Sequence, residues 1–74
     1  MKEYIFDGAF VSLMRKRHGL TLEALGKKLG TSKGYIWELE NKQRVNPSFS
    51  VVAALSDILE VPMKAFIVQK ESAP

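Results

Sequence analysis

The apolar positions of the chain recur at intervals of three and four residues, the spacing that lines side chains along one face of an α-helix. They do so in five stretches. In the first, Phe10, Val11 and Met14 turn inward on a helix that starts after Asp7, which can cap it, and runs to His18. Its last turn, Arg15, Lys16, Arg17 and His18, sets positive charge at the negative end of the helix dipole before Gly19 stops it. Leu25 and Leu29 form the second stripe behind a Thr21 cap, and Ile36 and Leu39 the third behind Ser32. Pro47 and Ser48 open a fourth helix whose inward residues are Phe49, Val52, Leu55 and Leu59, and Pro62 starts a short fifth from Met63 to Val68. The polar run QKESAP, residues 69–74, is expected to fray. The expectation is therefore all-α, a compact five-helix bundle occupying residues 1–68, with no internal repeat, linker or low-complexity segment.

The second and third helices carry the most specific pattern. Between their stripes, Gly26 sits where two helices must cross closely, and Gly30 ends the first of them by supplying the positive φ of a C-terminal turn. Two short amphipathic helices joined in this way over residues 22–41 have the layout of a helix-turn-helix, the unit that places its second helix in the major groove of DNA. With Ile36, Leu39 and Glu40 inward, the outward residues of that helix are Lys33, Gly34, Trp37 and Glu38, with Ser32 at the tip. Lys33 can donate to guanine O6 and N7, Glu38 can accept from cytosine N4, Ser32 can do either, and Trp37 can lie against a thymine methyl or a sugar. The alternatives are a phosphate contact for Lys33, a solvated flank for Glu38, and packing across a neighbouring helix for Trp37. Gly34 costs up to about 1 kcal/mol relative to Ala inside a helix, less in the first turn, and lets backbone approach a duplex closely.

Composition narrows the classes. At 74 residues the chain allows one domain with a modest core, and the absence of cysteine removes disulfides and Cys-based metal sites. No apolar run approaches the ~18 residues that suggest a membrane span, and MKEYIFDG lacks a signal-peptide layout, so a cytoplasmic protein without membrane contact is expected. The net charge of +3 is distributed unevenly: residues 1–46 hold nine Lys or Arg against five Asp or Glu, and residues 47–74 two against three. The basic half contains the motif, as a footprint on phosphate requires, although an ordinary solvated surface has the same appearance. Lone His18 has no partner spaced for nucleophilic or metal chemistry, and the carboxylates form no evident acid/base pair, so neither enzyme activity, nor a metal, nor a cofactor is expected.

From Val11 through Phe66 the chain resembles the phage repressor family of helix-turn-helix proteins, also called Cro-like or xenobiotic-response-element proteins. The matching residues are Val11, Met14 and Arg15, then Leu25, Gly30, Tyr35, Ile36, Leu39 and Glu40, then Asn46, Pro47 and Ser48, and finally Leu55, Leu59, Val61 and Phe66. The resemblance implies a lambda-repressor-like fold, a bacterial or phage-encoded regulator, and a buried ion pair between Arg15 and Glu40; the alternative is two separate surface charges. It also puts Tyr35 at a phosphate-contacting position. Lys42, Arg44 and Asn46 on the following loop join it, and Thr21 with the second helix's N-terminal N–H groups forms a further clamp. The chain departs from the family's pattern at Leu22, where Gln is usual and braces a phosphate, and at Lys42, where Gly is common, so Asn41 is expected to take the left-handed conformation. Gly34 stands where the family often carries a base-reading side chain, which shifts discrimination toward DNA shape.

A module this small covers about 600–1,000 Å² of DNA, so a homodimer on double-stranded DNA is expected. The candidate contact residues are Ile58, Pro62, Met63 and Ile67, unless Tyr4, Ile5 and Phe6 cover them within the chain. The expected function is a sequence-specific transcriptional regulator, a repressor on a pseudo-palindromic operator. The competing reading is a protein-binding helix-turn-helix module, an antitoxin or regulator-docking domain, favoured by the low polarity of Leu22, Gly34 and Trp37.

Overall fold

A computed structural model describes residues 2–42 and 46–71. In chain order the elements are strand β1 (Lys2–Phe6), helices α1 (Gly8–Arg17), α2 (Leu22–Leu29), α3 (Lys33–Asn41) and α4 (Phe49–Leu59), a 3₁₀ turn (Met63–Phe66) and strand β2 (Ile67–Glu71).

Each α-helix begins with a side chain that satisfies one of its orphan donors. Asp7 accepts from Phe10 N–H (3.2 Å), Thr21 from Ala24 (3.0 Å), Ser32 from Tyr35 (3.1 Å) and Ser48 from Val51 (3.3 Å). Two helices end on glycines in the left-handed region. Gly30, at φ 79°, closes α2 with N–H groups of Gly30 and Thr31 donating to the carbonyls of Lys27 (3.2 Å) and Gly26 (2.8 Å); Gly19 closes α1 in the same manner. α4 ends on Glu60 at φ 58°, where an L side chain is strained.

The core is built from Val11 of α1, Leu25 of α2, Ile36 and Leu39 of α3, Val52, Leu55 and Leu59 of α4, and Phe66 of the 3₁₀ turn, all buried. Phe66 is clamped by two aromatic rings: Phe6 stacks on it at 6.0 Å and Phe10 meets it edge-on at 5.5 Å.

The expected fifth helix is corrected. Met63–Phe66 forms a 3₁₀ turn, and from Ile67 the chain is extended, β2 running antiparallel to β1 with Phe6 opposite Ile67 and Ile5 opposite Val68. The bond from Asp7 N–H to Phe66 C=O (2.7 Å) continues this pairing. β-Branched Ile67 and Val68 suit a pleated strand better than a helix, and the N-terminal residues supply their partner. The fold is thus mostly helical, four α-helices and a two-stranded sheet among the described residues, and the tail expected to fray from residue 69 is paired as far as Glu71. Phe49 is also corrected: expected inward, it is 77% exposed, because the buried stripe of α4 begins at Val52 and the helix's first residue lies beyond its neighbours' reach.

Candidate nucleic-acid interface

α2 and α3 approach so closely that a Cβ on Gly26 would lie 3.0 Å from the Ser32 carbonyl carbon and 3.2 Å from Lys33 N. This close crossing and the turn at Gly30 fix the direction in which α3 leaves the body of the protein. On the inner side Ile36 and Leu39 are fully buried. On the outer side Lys33, Gly34, Trp37 and Glu38 are exposed, and Ser32 stands exposed at the N-terminal tip.

The end of α3 is anchored to α1 by charge. Arg15 Nε donates to Glu40 Oε2 (2.6 Å) and Nη2 to Oε1 (3.1 Å), a two-pronged pair whose side chains are 11% and 4% exposed. The third arm, Nη1, donates to the Leu20 carbonyl (2.8 Å) and so ties in the segment leading to α2. Sequence reasoning missed the contact beside this pair. Gly8, first residue of α1, lies against the end of α3 so tightly that a Cβ there would fall 2.0 Å from the Leu39 carbonyl oxygen. The available signal was a glycine directly after a capping Asp, where most helices carry a side chain.

The residues expected to touch phosphate are distributed around this face. Thr21 is exposed at the start of α2 with its Oγ1 engaged by the Ala24 N–H, and Asn46 is exposed. Tyr35 is half-buried against the core. Lys42 Nζ lies 3.0 Å from Glu38 Oε2, so the carboxylate expected to read a base is neutralised by the lysine expected to meet phosphate. Arg44 lies outside the described residues. Asn41 does not take the left-handed conformation: it is the last helical residue, its Nδ2 donates to the Trp37 carbonyl (2.9 Å), and Lys42 leads out extended at φ −93°.

Leu22, Lys33, Gly34, Trp37, Glu38 and Lys42 together line an open hollow of about 420 Å³. The sequence marks Leu22 as a lost phosphate brace and groups it with Gly34 and Trp37 by low polarity; that the three line one hollow depends on how α2 and α3 cross.

Of the expected dimer contacts, Ile58 and Met63 are half-buried against the core, while Pro62 and Ile67 are exposed. β1 pairs with β2, and its Phe6 covers Phe66. His18 Nε2 lies 2.9 Å from the Leu59 carbonyl oxygen, a link between the ends of α1 and α4. Among the described residues, no group of three or more His, Cys, Asp or Glu side chains is placed to hold a metal, and no helix is long and apolar enough to cross a membrane.

Residues 8–65 match the model of a helix-turn-helix domain family. The chain is 28% identical over 64 residues to the HTH-type transcriptional regulator SinR of Bacillus licheniformis, an alignment covering 86% of this chain and 58% of that protein. It therefore spans little more than half the length of the curated relative. Among solved structures, SinR, described as the master regulator for biofilm formation, in complex with DNA superposes with a TM-score of 0.73 at 29% identity, covering 80% of this chain and 94% of that one. The P22 c2 repressor in complex with a synthetic operator superposes with a TM-score of 0.74 at 27% identity, covering 80% and 88%. These relatives are DNA-binding regulators and not enzymes.

Proposed function

Because the chain belongs to the Cro-like, or xenobiotic-response-element, family of helix-turn-helix proteins, we propose that it is a sequence-specific transcriptional regulator that represses by occupying a short pseudo-palindromic operator as a homodimer. The observation that carries this reading is the isolation of Ser32, Lys33, Gly34, Trp37 and Glu38 on one exposed face of a helix whose other face is fully buried. Such a helix offers its N-terminal half to base edges. Thr21, Tyr35, Lys42, Arg44 and Asn46 then supply contacts that position the protein without reading sequence. Occupancy alone is sufficient for repression, since a bound dimer overlapping a promoter excludes polymerase. Pairing two copies doubles a contact that one module keeps to about 600–1,000 Å², and exposed Pro62 and Ile67 are surface available for it.

Selection from a randomised duplex pool followed by footprinting tests the proposal. A symmetric protected site is expected, with affinity that falls steeply as salt rises because phosphate contacts release counterions. Loss of Lys33 should relax preference at one base pair per half-site. The low polarity around half-exposed Trp37 favours a second reading, docking on another polypeptide, for which binding would change little with salt. A purified chain that ignores every duplex at low ionic strength would exclude the regulator reading.

A further inference from the structure

Strand β1 has two edges, and among the described residues only one of them is paired. β2 runs along it, with Phe6 opposite Ile67, Ile5 opposite Val68 and Tyr4 opposite Gln69. Antiparallel neighbours alternate between pairs that exchange both N–H···O bonds and pairs that exchange none, so a single bond fixes the phase of the ladder. That bond runs from Asp7 N–H to the Phe66 carbonyl (2.7 Å). Counting back from it by twos, Ile5 and Glu3 bond to β2, whereas the N–H and C=O groups of Tyr4 and Phe6 point away from it. No other described backbone group answers them. The Tyr4 side chain is 67% exposed.

This free edge lies along an open groove of about 1020 Å³. The lining runs through successive residues from Glu3 to Ala9, and since neighbours in a strand point to opposite faces of a sheet, the groove follows the edge of β1 and not one face. Its other wall is the end of α3, Glu40, Asn41 and Lys42, with Asn46. We infer that the groove receives an extended segment of a partner polypeptide, which adds to β1 as a third strand through the backbone of Tyr4 and Phe6. The edge from Glu3 to Asp7 accommodates about five residues of such a segment. A second copy of this chain does not fit the same seat. In each copy β1 and β2 already back one another, so a two-stranded sheet entering edge-on would meet the end of α3 behind its first strand. Charge narrows the chemistry further. Among the described residues Glu40 and Lys42 are each held in an ion pair and Glu3 and Asp7 in none, so the lining suits a segment with Lys or Arg four residues apart, opposite those two carboxylates. Because Lys42 and Asn46 are also proposed to meet phosphate, this seat borders the DNA face.

Amide hydrogen exchange on the intact chain, followed by NMR, tests this with two capped synthetic peptides, VKVTVKV and VEVTVEV. With enough of the lysine peptide to fill about nine sites in ten, the amides of Tyr4 and Phe6 are expected to exchange about tenfold more slowly, while that of Ile5, already bonded to β2, changes little. The glutamate peptide should bind about fivefold more weakly than the lysine one. Tyr4→Pro removes one outward donor and spares the ladder to β2, since proline is tolerated where the N–H of an edge strand faces solvent. Its affinity for the lysine peptide should fall about fivefold, with helicity and unfolding midpoint retained. Unchanged exchange at Tyr4 and Phe6, full affinity in Tyr4→Pro, or equal binding of the two peptides overturns the proposal. Protection of the same amides that grows with protein concentration in the absence of peptide would assign the edge to a second copy, and overturns it as well. No step uses DNA, so failure here leaves the regulator reading as it stands.

Discussion

The two faces of α3 differ in what they leave undecided. Ile36 and Leu39 are fully buried, and Glu40 is held by two bonds from one arginine, so the inner face specifies where the helix lies. Lys33, Gly34, Trp37 and Glu38 are exposed, and among the described residues the only ion pair they make joins Glu38 to Lys42. Orientation and readout are therefore built from separate residues. A substitution on the inner face should act on stability, and one on the outer face on binding, with little exchange between the two.

The largest effect is expected at the anchor. Arg15→Ala or Glu40→Ala leaves its partner charged and nearly buried, at a cost of about 3–5 kcal/mol, whereas the double variant is expected to lose less than the sum. Arg15→Lys is not a conservative change, because one ammonium cannot hold both carboxylate oxygens and the Leu20 carbonyl in Arg15's fixed fork. Urea denaturation of the four proteins measures these differences. Near-neutral single changes would show that the inner face does not depend on the pair.

Next in size is a contrast between two glycines. At Gly8 an added methyl collides with the Leu39 carbonyl, backbone that cannot swing aside, and Gly8→Ala is expected to destabilise by about 1–3 kcal/mol. At Gly34 the same methyl enters open space inside a helix, so Gly34→Ala is expected to stabilise by up to about 1 kcal/mol. Thermal unfolding of both variants decides the matter: equal signs would mean that α1 and α3 do not meet as closely as described. A comparable gain is expected from Glu60→Gly, which relieves a left-handed backbone at the end of α4.

Much of the helical part was legible because its signals are local. A hydroxyl or carboxylate placed three residues before the N–H it serves identifies Asp7, Thr21, Ser32 and Ser48 without knowledge of the fold, and Gly30 announces a left-handed turn in the same way. Gly26 was also legible, since a glycine between two apolar stripes has few other reasons to be there. The sheet was not. Its strands lie at opposite ends of the chain, so no turn sequence links Tyr4, Ile5 and Phe6 to Ile67, Val68 and Gln69, and each run is short enough to pass as part of a helix or a tail. The collision at Gly8 and the hollow beside Leu22 were hidden for a related reason: both exist only where two helices meet. On the candidate site, the outward residues of α3 followed from helical periodicity, but the pairing of Glu38 with Lys42 depended on where the helix ended and which rotamers the two side chains adopt.

That pairing gives the smallest effect and the finest test of the separation between faces. The two side chains are about half exposed and stand four residues apart, Glu38 in α3 and Lys42 just past its end, a geometry that contributes at most about 0.3–0.5 kcal/mol. Glu38→Gln should therefore barely move the unfolding midpoint. It should change binding more, because the phosphate contact proposed for Lys42 then forms without a carboxylate competing for the ammonium. At low salt the variant is expected to bind random duplex more tightly, and the dependence of affinity on salt should steepen by about one counterion per protomer. Discrimination between the selected operator and random duplex should fall if Glu38 also accepts from a cytosine, and hold if its role is only to occupy Lys42. A Glu38→Gln protein with unchanged salt dependence would place Lys42 away from the duplex, and the outer face would then end at Glu38.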